Sequence, residues 1–255
     1  MVSEVTIKAL TGIKLVEPGD DLGAVSVAAF RANGLTPQAG DVLVVAQKVV
    51  SKAEGRYVEV ASVEPSPQAV ALAAELDKDP RFVEVVLGES KRVVRHRPGL
   101  LIVEHRLGFV MANAGIDHSN VAADDGVERV LLLPVDPDAS AARLQRQIAD
   151  AFGVRIAVVI SDSFGRPWRK GTVGIAIGAA GLPSMVDLRG QPDLFGRELL
   201  VSETGFADEI AAAAGLLMGQ AAEALPMVLV RGLSWSAPEA PAAFLVRPAE
   251  NDLFR

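Results

Sequence analysis

The chain has 255 residues, half of them hydrophobic but only 5% aromatic, and a formal net charge of −7. That length can bury a substantial core of Ala, Val, Leu and Ile. The acidic balance argues against a nucleic-acid partner, because phosphate backbones attract basic surfaces, but it leaves room for a small anionic ligand held by a few local cations. There is no cysteine, which excludes disulfides and thiolate chemistry and fits the cytoplasmic location we expect. The N-terminus shows no signal-peptide pattern. No uncharged apolar run reaches the roughly 18 residues of a membrane span, so no membrane partner is expected.

Val2 to Leu10 reads as a strand, and Pro18-Gly19-Asp20-Asp21 as a turn carrying a helix N-cap. Leu22 to Ala32 then reads as a helix. Val42 to Ala46 is a continuous apolar run, the mark of a buried strand, followed by the polar stretch Ser51 to Gly55. Helices are expected over Pro67 to Leu76 and Pro80 to Ser90. Leu100 to His105 and Gly108 to Ala112 read as paired strands, and Val130 to Pro134 as another. Ser140 to Phe152 has helical spacing, with Leu144, Ile148 and Phe152 on one face. Ala157 to Ile160 is a buried strand that should deliver Ser161-Asp162-Ser163 to a glycine-containing loop. Phe206 to Met218 is a long helix and Met227 to Val230 a last strand. After Trp235 the chain turns rich in Pro and Ala, so residues 236–255 are expected as an extended tail packed on another surface, after a main domain of 1–235 that could hold two intimate subdomains. Strands and helices alternate without a clean βαβ rhythm, and neither a Walker loop nor a GxGxxG follows a strand. The expected fold is mixed α/β (α+β), neither Rossmann nor P-loop.

Three segments combine polar residues and glycine beside apolar strands. In Asn113-Ala114-Gly115-Ile116-Asp117-His118-Ser119-Asn120, an Asp and an Asn three apart can aim two oxygens one way, as hard cations require. The same residues also suit a simple Asx turn. In the second, Asp162 and Ser163 can hold a divalent ion at a strand end, while Arg166, Arg169 and Lys170 can neutralise phosphate oxygens. A solvated basic loop is the plain alternative. In the third, Gln47, Lys48, Ser51 and Lys52 follow a buried strand, and Lys52 can meet a phosphate as a point charge. Of His96, His105 and His118, none has zinc-like spacing, and His118 beside Asp117 suits a surface role. No nucleophile motif appears.

Read together, these segments resemble one family over nearly the whole chain, the coenzyme F420-0:L-glutamate ligases, or F420 gamma-glutamyl ligases. The resemblance rests on the order and spacing of Pro18 to Leu22, Gly40 to Val45, Val50 to Gly55, Asn113 to Asp117, Ser119 to Val121, Leu132 to Asp138, Ile160 to Gly165, Ala207 to Ala211, Leu217 to Gly219 and Val230 to Gly232. It implies a ligase that uses GTP and two divalent ions, manganese or magnesium, with potassium in some members. Such enzymes extend the lactyl carboxylate of coenzyme F420-0 with gamma-linked L-glutamate. The chain resembles the single-domain form, without the flavin-reductase-like extension of some relatives, and a homodimer is implied.

Carried over residue by residue, the resemblance makes Asp117 and Asp162 ligands of a first metal and Ser163 a ligand of a second. Gln220 stands where some members carry Glu at that second metal, so one negative charge is missing there. Thr11, Gly12, Ile13, Lys14, Gln47, Lys48, Lys52 and Asn120 match guanine-nucleotide contacts, and Met218 and Gly219 join them at the nucleotide. Catalytic roles fall to Asp162, Arg166 and Arg169. Two other readings stay open. One is a related carboxylate-amine ligase with another acceptor or with ATP. The other is a non-catalytic deazaflavin- or nucleotide-binding protein, which would tolerate the loss of a carboxylate at Gln220.

Overall fold

A computed structural model describes residues 4–118 and 126–253. The centre is a five-stranded sheet. Its strands are β1 (Thr6–Ala9), β2 (Val42–Ala46), β8 (Ala157–Arg166), β9 (Arg169–Ala180) and β12 (Met227–Arg231), in the order β1-β12-β2-β8-β9. Only β2 and β8 run parallel, Val42 facing Ala157 and Ala46 facing Ser161; all other neighbours are antiparallel. β2 and β12 are buried along almost their whole length, as continuous apolar runs demand. A bidentate pair, Arg231 Nε and Nη2 on the two oxygens of buried Asp41 at 2.8 and 2.7 Å, ties the end of β12 to the start of β2.

Helices α1 (Leu22–Ala32) and α5 (Pro137–Phe152) cover one face of this sheet, with Phe30, Leu144, Ile148, Val158 and Ile177 in the shared core. Helix α6 (Phe206–Met218) covers the other, with Ala207, Ile210, Ala211 and Ala214 on Val44, Val159 and Val228. Glycines in β9 set how close the helices come. A methyl group on Gly174 would lie 2.6 Å from the Ala211 carbonyl oxygen, so only glycine lets α6 approach that strand.

A second unit is inserted between β2 and β8. It holds α3 (Pro67–Leu76), α4 (Pro80–Gly88), a three-stranded sheet of β4 (Ser90–Arg97), β5 (Leu100–His105) and β6 (Val110–Ala112), and the pair β3 (Tyr57–Glu59) with β7 (Arg129–Leu131). These enclose a core of their own around Leu76, Val83, Val86, Leu101, Val103 and Val130. Short helix α2 (Gln47–Ala53) leads from the main sheet into this unit.

The helix starts have a common chemistry. Asp21 caps α1, Ser66 caps α3, Asp79 caps α4 and Asp136 caps α5, each side chain accepting from a backbone N–H of the first turn, and the last three are followed by Pro at the first helical position. The architecture is α+β, as expected, and α1, β2, α3 and α6 fall on their expected boundaries.

Four expectations need correction. Gln47 to Ala53, where the sequence suggests no helix and whose end reads as part of the polar stretch Ser51 to Gly55, is helical. Ser90 to Arg97 is a strand that charge and two register shifts obscure. β8 does not stop at Ile160 but runs to Arg166 and pairs along its length with the unforeseen β9, Asp162 opposite Ile175 and Arg166 opposite Arg169. The glycine-containing basic loop is therefore a hairpin, with Trp168 at its tip in the left-handed region. In the segment after Trp235, Asp138 accepts from the N–H groups of Ala242 and Ala243, Ala242 is buried, and two short 3-10 turns, Ala242–Leu245 and Ala249–Asn251, replace a fully extended run. Among the described residues no helix is long and apolar enough to cross a membrane.

Candidate active site

The inserted unit and the main sheet meet along a cleft of about 1100 Å³. Its walls include Ile13 and Lys14 from the segment after β1, Gln47, Lys48 and Lys52 from α2, Ser161, Asp162 and Ser163 from β8, and Met218, Gly219 and Gln220 from the end of α6. Ten residues expected at the site thus share one cavity, although they are spread over more than 200 positions of the chain.

Two carboxylates bear on it, Asp162 on its wall and Asp117 against the wall residues Gln47 and Lys48. Asp162 projects from β8, where its Oδ1 accepts from the Ser163 N–H at 2.8 Å. Burial, reinforced by the negative charge of Asp117, pushes its carboxyl up to about 7, with the Ser163 N–H and Lys48 opposing. Asp117 enters from the other side. Its backbone pairs in both directions with Leu131 at 2.9 Å, and it follows a left-handed turn of Asn113, Ala114 and Gly115, with φ of 49, 54 and 67°. A left-handed Ala costs about 1–2 kcal/mol, strain of the kind that gathers at functional sites.

The Asp117 side chain is also raised by burial, against the pull of Lys48 and Gln47. Oδ2 accepts from Gln47 Nε2 at 2.8 Å and Oδ1 lies 3.3 Å from Lys48 Nζ. Lys52 is pushed below the ordinary lysine value by burial and then by the charge of Lys48, with Asp117 opposing. Two acids that resist ionisation beside two clustered lysines make a site poised for additional charged partners.

The oxygen donors suit a hard divalent ion. Magnesium-type ions are usually held by one or two carboxylates, with water and substrate phosphates completing the shell. Asp117 and Asp162 supply that number, and Ser163 and Gln220 offer neutral oxygens from the same cleft. Among the described residues no group of three or more His, Cys, Asp or Glu forms a metal cluster.

Other expected residues stand elsewhere. Thr11 and Gly12 do not line the cleft; Thr11 is bound to Asn33 through its N–H and hydroxyl, at 3.2 and 3.0 Å. Lys14 reaches the wall but pairs with Asp20 at 2.6 Å. Arg166 and Arg169 sit at the hairpin tip and do not line the cleft. Asn120 lies outside the described residues. His118 is exposed against the Phe82 ring, 4.8 Å between centroids, in the surface role expected of it.

Tyr57 and Arg129 are cleft residues that the sequence does not announce, a ring and a guanidinium from the β3–β7 pair that line one end of the cavity. Strands of three residues carry too little periodicity to be noticed. Gly215 is another, lining the cleft inside α6 with nothing within 4 Å of where a side chain would begin. A glycine in a helix interior costs about 1 kcal/mol against Ala, and that cost is the signal the sequence carries for it.

A cleft with an acid, clustered lysines and oxygen donors on its walls has the chemistry to take up a charged small molecule. Comparison with known proteins gives the family. The F420-0:Gamma-glutamyl ligase family matches residues 12–232, and the chain belongs to that family. It is 43% identical over 253 residues to the coenzyme F420:L-glutamate ligase of Methanothermobacter thermautotrophicus, covering 98% of this chain and 99% of that protein. The protein of the same name from Methanopyrus kandleri is 45% identical over 245 residues, 94% and 93% of the two chains. That from Archaeoglobus fulgidus is 43% identical over 251 residues, 98% and 96%.

Proposed function

We propose that the protein is a GTP- and divalent-metal-dependent ligase that adds gamma-linked L-glutamate to the lactyl carboxylate of coenzyme F420-0, releasing GDP and phosphate. The observation that carries this reading is Asp162 in one cleft with Lys48 and Lys52, next to Asp117, whose carboxylate meets Lys48 and Gln47 of the cleft wall. Family membership and the names of the relatives supply the substrates.

A carboxylate does not condense with an amine at neutral pH until one of its oxygens becomes a leaving group. In the proposed reaction a lactyl carboxylate oxygen attacks the γ-phosphorus of GTP, the bond to the β–γ bridging oxygen breaks, and GDP departs. The amino group of glutamate then attacks the acyl carbon of the acyl phosphate, gives up a proton, and phosphate leaves. Manganese or magnesium held by Asp117, Asp162, Ser163 and Gln220, two ions per subunit with potassium as a further requirement, would offset the charge that develops on the phosphate oxygens.

The chain's own groups bind and position. Lys48 and Lys52 meet phosphate oxygens as point charges. For Lys52, a phosphate partner offsets the burial that now weakens its proton affinity. Ile13, Val16, Met218 and Leu225 give the cleft apolar walls that exclude water from a reactive acyl phosphate. Gly215 leaves room for a substrate to lie against α6. No step is assigned to Arg166 or Arg169.

A homodimer is part of the proposal. The arm from β10 (Val186–Asp187) to β11 (Glu203–Thr204) exposes Leu194, Phe195, Leu200 and Val201, a larger cluster of apolar side chains than a monomer usually leaves in water. Mass spectrometry of the coenzyme after incubation with GTP, manganese and glutamate tests the activity. A product heavier by glutamate residues is expected. Unchanged coenzyme with no phosphate release would leave a binding protein instead.

A further inference from the structure

A buried polar relay ends on Asp117. Gln47 is 2% exposed and Ser51, one helical turn later on α2, is fully buried. Gln47 Nε2 donates to Asp117 Oδ2 at 2.8 Å, and Ser51 Oγ donates to Gln47 Oε1 at 2.9 Å. The direction of the relay follows from its last member. A carboxylate only accepts, so the amide must turn its nitrogen toward Asp117. Its oxygen is then left buried and needs a donor, which the Ser51 hydroxyl provides. Each link depends on the next, because an unsatisfied buried polar atom costs about 1–3 kcal/mol.

The relay sorts the two oxygens of Asp117. Oδ2 is held by Gln47, while Oδ1 faces the Lys48 ammonium at 3.3 Å. The Asp117 backbone is pinned separately by Leu131, so the relay acts on the side chain alone. We propose that Gln47, oriented by Ser51, is a positioning residue that fixes the Asp117 carboxylate so that the oxygen now facing Lys48 is presented to a divalent cation. A cation taking that oxygen competes with Lys48 for it. This rests on the metal-dependent reading above. It differs from the role the family resemblance implies for Gln47, a direct nucleotide contact. Groups that orient metal ligands from behind usually carry a tenfold to hundredfold effect on affinity.

The test is a manganese titration of the full-length protein without nucleotide or coenzyme, reading free Mn2+ by electron paramagnetic resonance. Wild type, Gln47→Met and Ser51→Ala are compared, and each is then assayed for turnover with manganese and GTP varied in turn. Gln47→Met should weaken manganese binding by about 10- to 100-fold, and Ser51→Ala, which touches no substrate, should weaken it less but in the same direction. Excess manganese should restore kcat in both, and the KM for GTP should stay near the wild-type value. If Gln47→Met raises the KM for GTP and leaves manganese binding unchanged, Gln47 is a nucleotide contact and the proposal falls alone. Wild-type protein that binds no manganese removes the metal-dependent reading, and the relay's proposed role with it. Should Gln47→Met fail to fold, unchanged manganese affinity in Ser51→Ala is by itself sufficient to overturn the proposal.

Discussion

Replacing Asp162 with Asn separates the stability of this site from its activity. The Asp162 carboxyl is pushed up to about 7 from an ordinary 3.8, by burial and by Asp117. A folded-state value above the unfolded one means that the native protein binds the proton more tightly, so stability falls as pH rises through the window from about 4 to 7. At 1.36 kcal/mol per unit, the ionised Asp162 costs the metal-free fold about 4 kcal/mol if fully desolvated, and about half that because the side chain still opens onto water in the cleft. Asn keeps the acceptor for the Ser163 N–H and carries no charge. Asp162→Asn should therefore melt higher than wild type in EDTA at pH 8, by about 4–8 °C for a chain of this size, and the advantage should shrink toward pH 5. Manganese should raise the wild-type melting temperature and not that of the variant. Turnover should drop by about a thousandfold, as expected when several kcal/mol of charge stabilisation is lost. Melting curves at pH 5 and 8, with and without manganese, and a phosphate-release assay decide it. A melting difference independent of pH would refute the burial argument. Most of the activity surviving at saturating manganese would refute the metal site.

Three further outcomes are expected. Gln220→Glu adds a carboxylate at the cleft wall and should lower the manganese concentration for half-maximal rate; a titration showing no change would place Gln220 outside the coordination. Glu89 is buried, accepts from Arg56 at 3.0 Å, pairs with Arg106 at 3.0 Å and lies 3.6 Å from His105. Burial raises its carboxyl, but His105, Arg106 and Arg56 outweigh it and the net shift is downward. Its stabilisation is therefore present above the unfolded value and lost as pH falls through the lower folded one. Glu89→Gln should cost about 3–5 kcal/mol at pH 7, the penalty for breaking a buried ion pair, and progressively less as pH falls below about 4.5; urea melts with equal losses at pH 7 and in strong acid would contradict this. Phe195→Asp, placed on the exposed arm, should shift sedimentation from dimer to monomer, whereas a wild-type monomer at micromolar concentration would remove the dimer altogether.

The elements with caps and long apolar faces are legible in the order of residues alone. Asp21 announces the first helix, and Ser66, Asp79 and Asp136 cap three more in the same way, because a side-chain acceptor beside the first free N–H groups is a local requirement. α2 has no capping side-chain bond and contains Val49 and Val50, residues that favour strands; contact with the β2–β8 sheet and the inserted unit makes it helical. β9 alternates Val173, Ile175 and Ile177 with Gly174, Ala176 and Gly178. Gly174 and Ala176 face α6, whereas Gly178 meets Pro137 at the start of α5, so these small residues have meaning only once both helices are in place.

The roles of polar residues divide the same way. Asp41, Asp138, Asp162 and Asp208 look alike along the chain, and all but Asp162 hold the fold together: Asp41 on Arg231, Asp138 on Ala179, Ala242 and Ala243, and Asp208 on the Ala176 N–H. The amino-acid order by itself determined the family, the capped helices, the buried strands and the residue types of the site, since each depends on neighbours a few positions away or on a pattern of many positions together. Which carboxylates face one another, that Gln47 backs Asp117, and that Arg166 and Arg169 stand at a hairpin tip were decided only in three dimensions. They depend on how the inserted unit closes against the sheet, and its contacts join Gln47 to a partner 70 positions away.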